Sequence, residues 1–126
     1  MKKYISAHGA PKAIGPYSQA VLVNGFLYVS GQIPIHVETG DIVEDIEGAT
    51  HQVMKNLKAI LEEAGMSFEN VIKTSIFLKN MRDFQTVNSV YASYLEEGCY
   101  PARETVEVSR LPKGVCIEIS LIAYRE

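Results

Sequence analysis

The chain has 126 residues, 47% of them apolar, and a formal charge of −3 from 12 basic and 15 acidic side chains. That length suits one domain, expected to span 1–126, with enough apolar residues for a core. Absent are the basic footprint of a phosphate-backbone binder, an apolar stretch near the ~20 residues of a membrane span, and the apolar run a signal peptide needs behind Lys2 and Lys3.

The cytoplasm is therefore the expected compartment, where Cys99 and Cys116 read as reduced packing residues. His8, His36 and His51 are scattered without Cys or acidic partners at ligand spacing, so no metal site is expected.

Residues 1 to 16 read as an extended or looping arm, broken by Gly9, Pro11, Gly15 and Pro16. Two β-prone runs, Ser18 to Val23 and Phe26 to Ser30, flank Asn24-Gly25, the strongest short hairpin signal. Gly31 ends the second run and lets other backbone come close. After a Thr39-Gly40-Asp41 turn, Ile46, Ala49, Val53, Leu57, Ile60, Leu61 and Ala64 fall on one helical stripe. This predicts a helix from about Asp45, its cap, to Ala64, ended by a left-handed Gly65. Val71 to Leu78 is strand-like. A second helix, capped by Asn80 or a neighbour, carries Phe84, Val87, Tyr91, Tyr94 and Leu95 and stops near Gly98 and Pro101.

The stretch from Pro101 to Glu118 holds two alternating runs, Thr105 to Ser109 and Cys116 to Tyr124. Val106 and Val108 share one face of the first. Ile117, Ile119, Leu121 and Ala123 share one face of the second, leaving Glu118 on the other. Leu111-Pro112-Lys113-Gly114 between them is turn chemistry, so the runs are expected to pair as a hairpin. Such a hairpin brings Arg103 and Glu118 toward the same end of a sheet, where they can hold a small carboxylate and activate a water. On periodicity alone, a lone Arg or Glu on a strand is more often solvated surface charge. The order β-β-α-β-α-β-β predicts an α+β fold with both helices on one face of a sheet. An apolar opposite face must then bury itself against another subunit.

Several blocks resemble one family along nearly the whole chain: Ile14 to Ala20, Ser30 to Pro34, Asn56-Leu57-Lys58, Leu61 to Gly65, Asn88 to Tyr91, Pro101-Ala102-Arg103, Val106-Glu107-Val108, Arg110-Leu111-Pro112 and Ile117-Glu118-Ile119. On these blocks the chain resembles the RidA-type (YjgF) 2-iminobutanoate/2-iminopropanoate deaminases. The resemblance implies a chorismate-mutase-like fold, a homotrimer with a cavity at each subunit interface, and no cofactor or metal. It implies hydrolysis of short 2-imino acids to 2-oxo acids and ammonia. Arg103 then binds the substrate carboxylate and Glu118 positions or activates water. Tyr17, Ser30, Gly31 and Asn88 shape the pocket, and the backbone at Thr105 adds a polar contact. Many members carry Ser-Cys after Pro-Ala-Arg, whereas this chain has Glu104-Thr105. A thiol role at 105 is thereby excluded, and Glu104 is expected to place a charge near the arginine. Glu107 is read as structural, pairing with Arg110 or Arg103.

The chemistry fits these residue types. A planar guanidinium makes two parallel charge-assisted bonds to a carboxylate, and a carboxyl in a partly dry cleft acts as general acid or base. Two other functions stay open: an RNA-cleaving translation inhibitor, against which the negative charge argues, and a non-catalytic regulator that binds metabolites in the cleft.

Overall fold

A computed structural model describes residues 1–126. Its strands are β1 (Lys3–Ile5), β2 (Ala20–Val23), β3 (Phe26–Gln32), β4 (Val71–Leu78), β5 (Ala102–Glu107) and β6 (Ile117–Tyr124). Its α-helices are α1 (Ile46–Glu63) and α2 (Phe84–Ala92). One mixed sheet runs in the order β1-β2-β3-β6-β4-β5. Only β4 and β5 are parallel. The fold is α+β, as expected.

Local chemistry explains the elements that match their prediction. Asn24 (φ 49°) and Gly25 (φ 84°) are both left-handed, the type I′ geometry that closes the β2–β3 hairpin with Val23 opposite Phe26. The Asp45 carboxylate accepts from Gly48 N at 2.8 Å and caps α1. At the other end Gly65 (φ 73°) donates to Glu62 O at 2.9 Å and Met66 N to Leu61 O at 2.8 Å. These are the paired bonds of a Schellman stop.

The helix-facing side of the sheet buries Leu27, Val29, Ile76, Leu78, Ile117, Ile119, Leu121 and Ala123. They meet Val53, Leu57, Ile60 and Leu61 of α1 and Val87 and Tyr91 of α2. The opposite face has no covering layer within the chain and leaves Tyr28 48%, Ile72 46% and Val106 41% exposed.

Three expectations are corrected. The N-terminal arm contributes β1, paired with β2 from Lys3–Leu22 to Ile5–Ala20. The second helix ends at Ala92 rather than near Gly98. Tyr94 and Leu95 still pack on the core from the following turn, which continues the apolar spacing without the helix. Finally, β5 and β6 do not form a hairpin. The apolar β6 lies between β3 and β4, where its backbone is paired on both sides. The polar β5 goes to the edge beside β4, a parallel pair with α2 as its crossover. No helix is long and apolar enough to cross a membrane.

Candidate active site

The open face of the sheet is shaped by one irregularity in β3. Val29 lies opposite Leu121, but Gln32 lies opposite Ile119, so three steps on β3 answer two on β6. This is a β-bulge at Ser30–Gly31, a device that re-aims side chains. Leu27, Val29 and Gln32 are buried, whereas Ser30 and Gly31 between them are not. The Ser30 hydroxyl donates to Ser18 O at 2.7 Å and Ser30 N to Gln19 O at 2.9 Å, which ties the bulge to the segment before β2.

Gly31 lies directly against Glu118. A Cβ at position 31 would sit 2.7 Å from Glu118 Cδ and 3.0 Å from its Cγ, so only glycine leaves this carboxylate its place. Glu118 is half-buried and makes no ion pair. Loss of hydration pushes its pKa above the ordinary 4.5. Tyr17, Ser30, Gly31 and Glu118 line one cleft of about 540 Å³, with Lys12 and Ile33 on its walls.

Arg103 stands in a second place. Its Nη1 donates to Asn88 Oδ1 at 2.8 Å, and a cleft of about 360 Å³ opens beside Asn88, Tyr91, Tyr100 and Arg103. Register shows why the two places are separate. Arg103 pairs with Thr74, which pairs with Leu121, a row that faces the helices. Glu118 pairs with Phe77, which pairs with Val106, a row on the open face. Arg103 and Glu118 therefore lie on opposite faces with β4 between their strands, not at a shared hairpin mouth.

The neighbours of Arg103 also differ from expectation. Glu104 points away from it, because successive strand residues alternate. It pairs with Lys73 at 3.0 Å and accepts from the Ser75 hydroxyl. Those two contacts hold its pKa below the usual carboxylate value. Glu107 accepts from Met81 N at 2.7 Å rather than pairing with an arginine. Thr105 shares the Arg103 face, and its hydroxyl is buried without a partner. Cys116 packs against the core, whereas Cys99 is exposed and not a packing residue. No group of three or more His, Cys, Asp or Glu side chains converges at metal-binding distance.

Residues 7–125 match the family model described as Endoribonuclease L-PSP. The chain belongs to this family. Similar L-PSP relatives include a RutC family protein of Pyrococcus horikoshii, 56% identical over all of both chains. A Salmonella typhimurium protein named 2-iminobutanoate/2-iminopropanoate deaminase is 45% identical over 99% of each. The crystal structure of Escherichia coli TdcF with bound serine superposes with a TM-score of 0.95 at 41% identity, covering 98% of this chain and 99% of that one.

Two residues that hold this L-PSP cleft open were not singled out from the sequence. Gln19 is buried. Its Oε1 accepts from Ala7 N at 2.6 Å, and its Nε2 donates to Ala7 O at 3.2 Å and Pro11 O at 2.9 Å. It thereby fastens the arm that forms one wall. Asn56, fully buried on α1, donates to Ile33 O and Ile35 O at 3.2 Å each and accepts from Gln52 at 2.9 Å, fixing the opposite wall. A polar residue on the apolar stripe of α1 was the available signal, since such a group is retained only when its bonds are made.

Proposed function

We propose that this chain is a hydrolytic deaminase of short 2-imino acids, with each active site completed between two copies of a homotrimer. The observation that carries this reading is the division of Arg103 and Glu118 between opposite faces of the sheet. One copy cannot bring them together, but the uncovered face of one copy can meet the Arg103 edge of the next. The deaminase name of the Salmonella relative and the serine held by TdcF support a small carboxylate-bearing ligand.

In this mechanism Arg103 grips the substrate carboxylate through its planar fork. The backbone of Thr105, on an edge strand with one row of unpaired groups, adds a polar contact. Tyr17, Ser30, Gly31 and Asn88 bound the space around the imine. Glu118 takes a proton from water as the water oxygen bonds to C2 and passes it to the imine nitrogen, giving a carbinolamine. It then takes the hydroxyl proton as the C2=O bond forms and gives it to the nitrogen as the C–N bond breaks, leaving a 2-oxo acid and ammonia. Burial, which raises its pKa, suits a group that must both accept and give a proton near neutral pH.

The test mixes two inactive variants. Imine is generated by an amino-acid oxidase or threonine dehydratase, and semicarbazide traps what the protein leaves. Arg103→Ala and Glu118→Ala are each expected to be inactive alone. Dissociated and reassembled at equal amounts, they should recover about one quarter of wild-type activity, because random closed assemblies give that share of sites both residues. No recovery in assemblies shown to be mixed, or full activity of Arg103→Ala, would refute the reading.

A further inference from the structure

Arg103 is held from one stripe of α2. Phe84, Asn88 and Tyr91 recur at helical spacing and so project from the same side of that helix. Asn88 accepts one guanidinium N–H at 2.8 Å. The guanidinium carbon lies 5.6 Å from the centre of the Phe84 ring and 5.2 Å from that of Tyr91, both within cation–π range. Tyr91 is itself fixed, since its hydroxyl and that of Thr74 lie 2.7 Å apart in the core. Thr74 is the residue paired with Arg103 across β4 and β5. The arginine, the ring, the threonine and the strand pairing thus make a closed loop of supports around one cation.

We propose that Phe84 and Tyr91 are positioning residues, whose rings hold Arg103 in the orientation that receives a planar carboxylate before the ligand arrives. The inference rests on the reading of Arg103 as the carboxylate anchor. Asn88, which also bounds the ligand space, accepts one guanidinium N–H and so leaves four free for the ligand. A long side chain loses rotamer freedom when it binds, and a pre-set one has already done so. Rings also suit this task better than a second carboxylate. They hold the cation without neutralising it and leave its in-plane donors unblocked. Tyr91 does not serve as a proton donor in this scheme. Its hydroxyl is engaged with Thr74, and burial pushes its pKa above the ordinary 10.0 although Arg103 and the Thr74 bond pull it down.

The test measures binding of 2-oxobutanoate and of its neutral amide by calorimetry to the assembled protein, beside imine turnover. Tyr91→Leu and Phe84→Leu remove one ring each, and Tyr91→Phe keeps the ring. The leucine variants should each weaken 2-oxobutanoate binding and raise KM about 3- to 10-fold, with kcat within about twofold. They should also shrink the preference for carboxylate over amide, a ratio that mere loss of stability does not move. Tyr91→Phe should stay within about threefold of wild type in both. Phe84 is partly exposed, so its leucine variant decides the matter if Tyr91→Leu does not fold. Leucine variants that bind 2-oxobutanoate like wild type and keep the carboxylate preference would overturn the inference while the anchor stands. A wild-type protein that binds carboxylate and amide alike would remove the anchor reading itself.

Discussion

Replacing Gly31 with alanine is expected to silence the Glu118 half of the site while the fold survives. The backbone at 31 is not left-handed, so alanine is tolerated there and the cost is contact alone. The new Cβ would lie 2.7 Å from Glu118 Cδ and 3.0 Å from Cγ, well inside the ~3.5–4.0 Å of a good carbon contact. The methyl strikes the carboxylate and also presses on Cγ, so the carboxylate must leave its position. Overpacking of this kind costs about 1–3 kcal/mol, and the low end applies because a half-exposed glutamate can swing outward. Displacing a general base costs about 10²- to 10⁴-fold in rate. The assay is imine turnover and urea unfolding of Gly31→Ala, Glu118→Ala and the double variant. Glu118→Ala removes the group that the methyl strikes, so the stability cost of Gly31→Ala should be about 1 kcal/mol smaller in the Glu118→Ala background than in wild type. Turnover of Gly31→Ala within about threefold of wild type, or strictly additive stabilities, would refute the reasoning.

Burial gives Glu118 a folded pKa above 4.5. Its stabilising effect is therefore complete below the unfolded value and lost as pH rises through the folded one. Glu118→Gln should accordingly be more stable than wild type near pH 7 and indistinguishable from it near pH 4 in urea titrations, and it should lack the acid limb of kcat/KM. Asn56→Ala strips the bonds to Ile33 O and Ile35 O. It should cost about 1–3 kcal/mol in urea unfolding and raise KM as that wall loosens. Gly25→Ala forces alanine to φ 84° with its Cβ 2.6 Å from Arg125 O. A loss of about 1–3 kcal/mol is expected in urea unfolding, with catalytic constants unchanged because the turn lies outside both clefts.

What was legible in the sequence is what neighbouring residues decide among themselves. Asn24-Gly25 dictates a tight left-handed turn wherever it falls between strands, and Asp45 and Gly65 satisfy helix-end groups within a few residues of their own positions. Placing Glu118 opposite the apolar row of β6 needed only strand alternation, and it holds. Strand partnership is different, because nothing near residues 102–107 records that β4, rather than β6, is the better neighbour. The apolar Val106 carries no sign of which face of the sheet it takes. On an edge strand the valine faces outward at 41% exposure, while Arg103 turns toward the helices. Alternation alone already separated Glu104 from Arg103, and that signal was available. Of the site residues expected, Tyr17, Ser30, Gly31 and Glu118 share one cleft and Asn88 and Arg103 the other. That division depended on pairing between distant strands.

The two outer strands bear on what the sheet can add at its margins. A sheet with one bare face risks growing by strand addition into an endless fibre. Here β1 is only three residues long and starts at Lys3, directly after Lys2. At the other margin, β5 presents Glu104 and Glu107 beside Arg103. Neither margin offers a long apolar template, which disfavours strand addition at both ends. The charged strand that carries the arginine thus also protects the chain against amyloid-like growth.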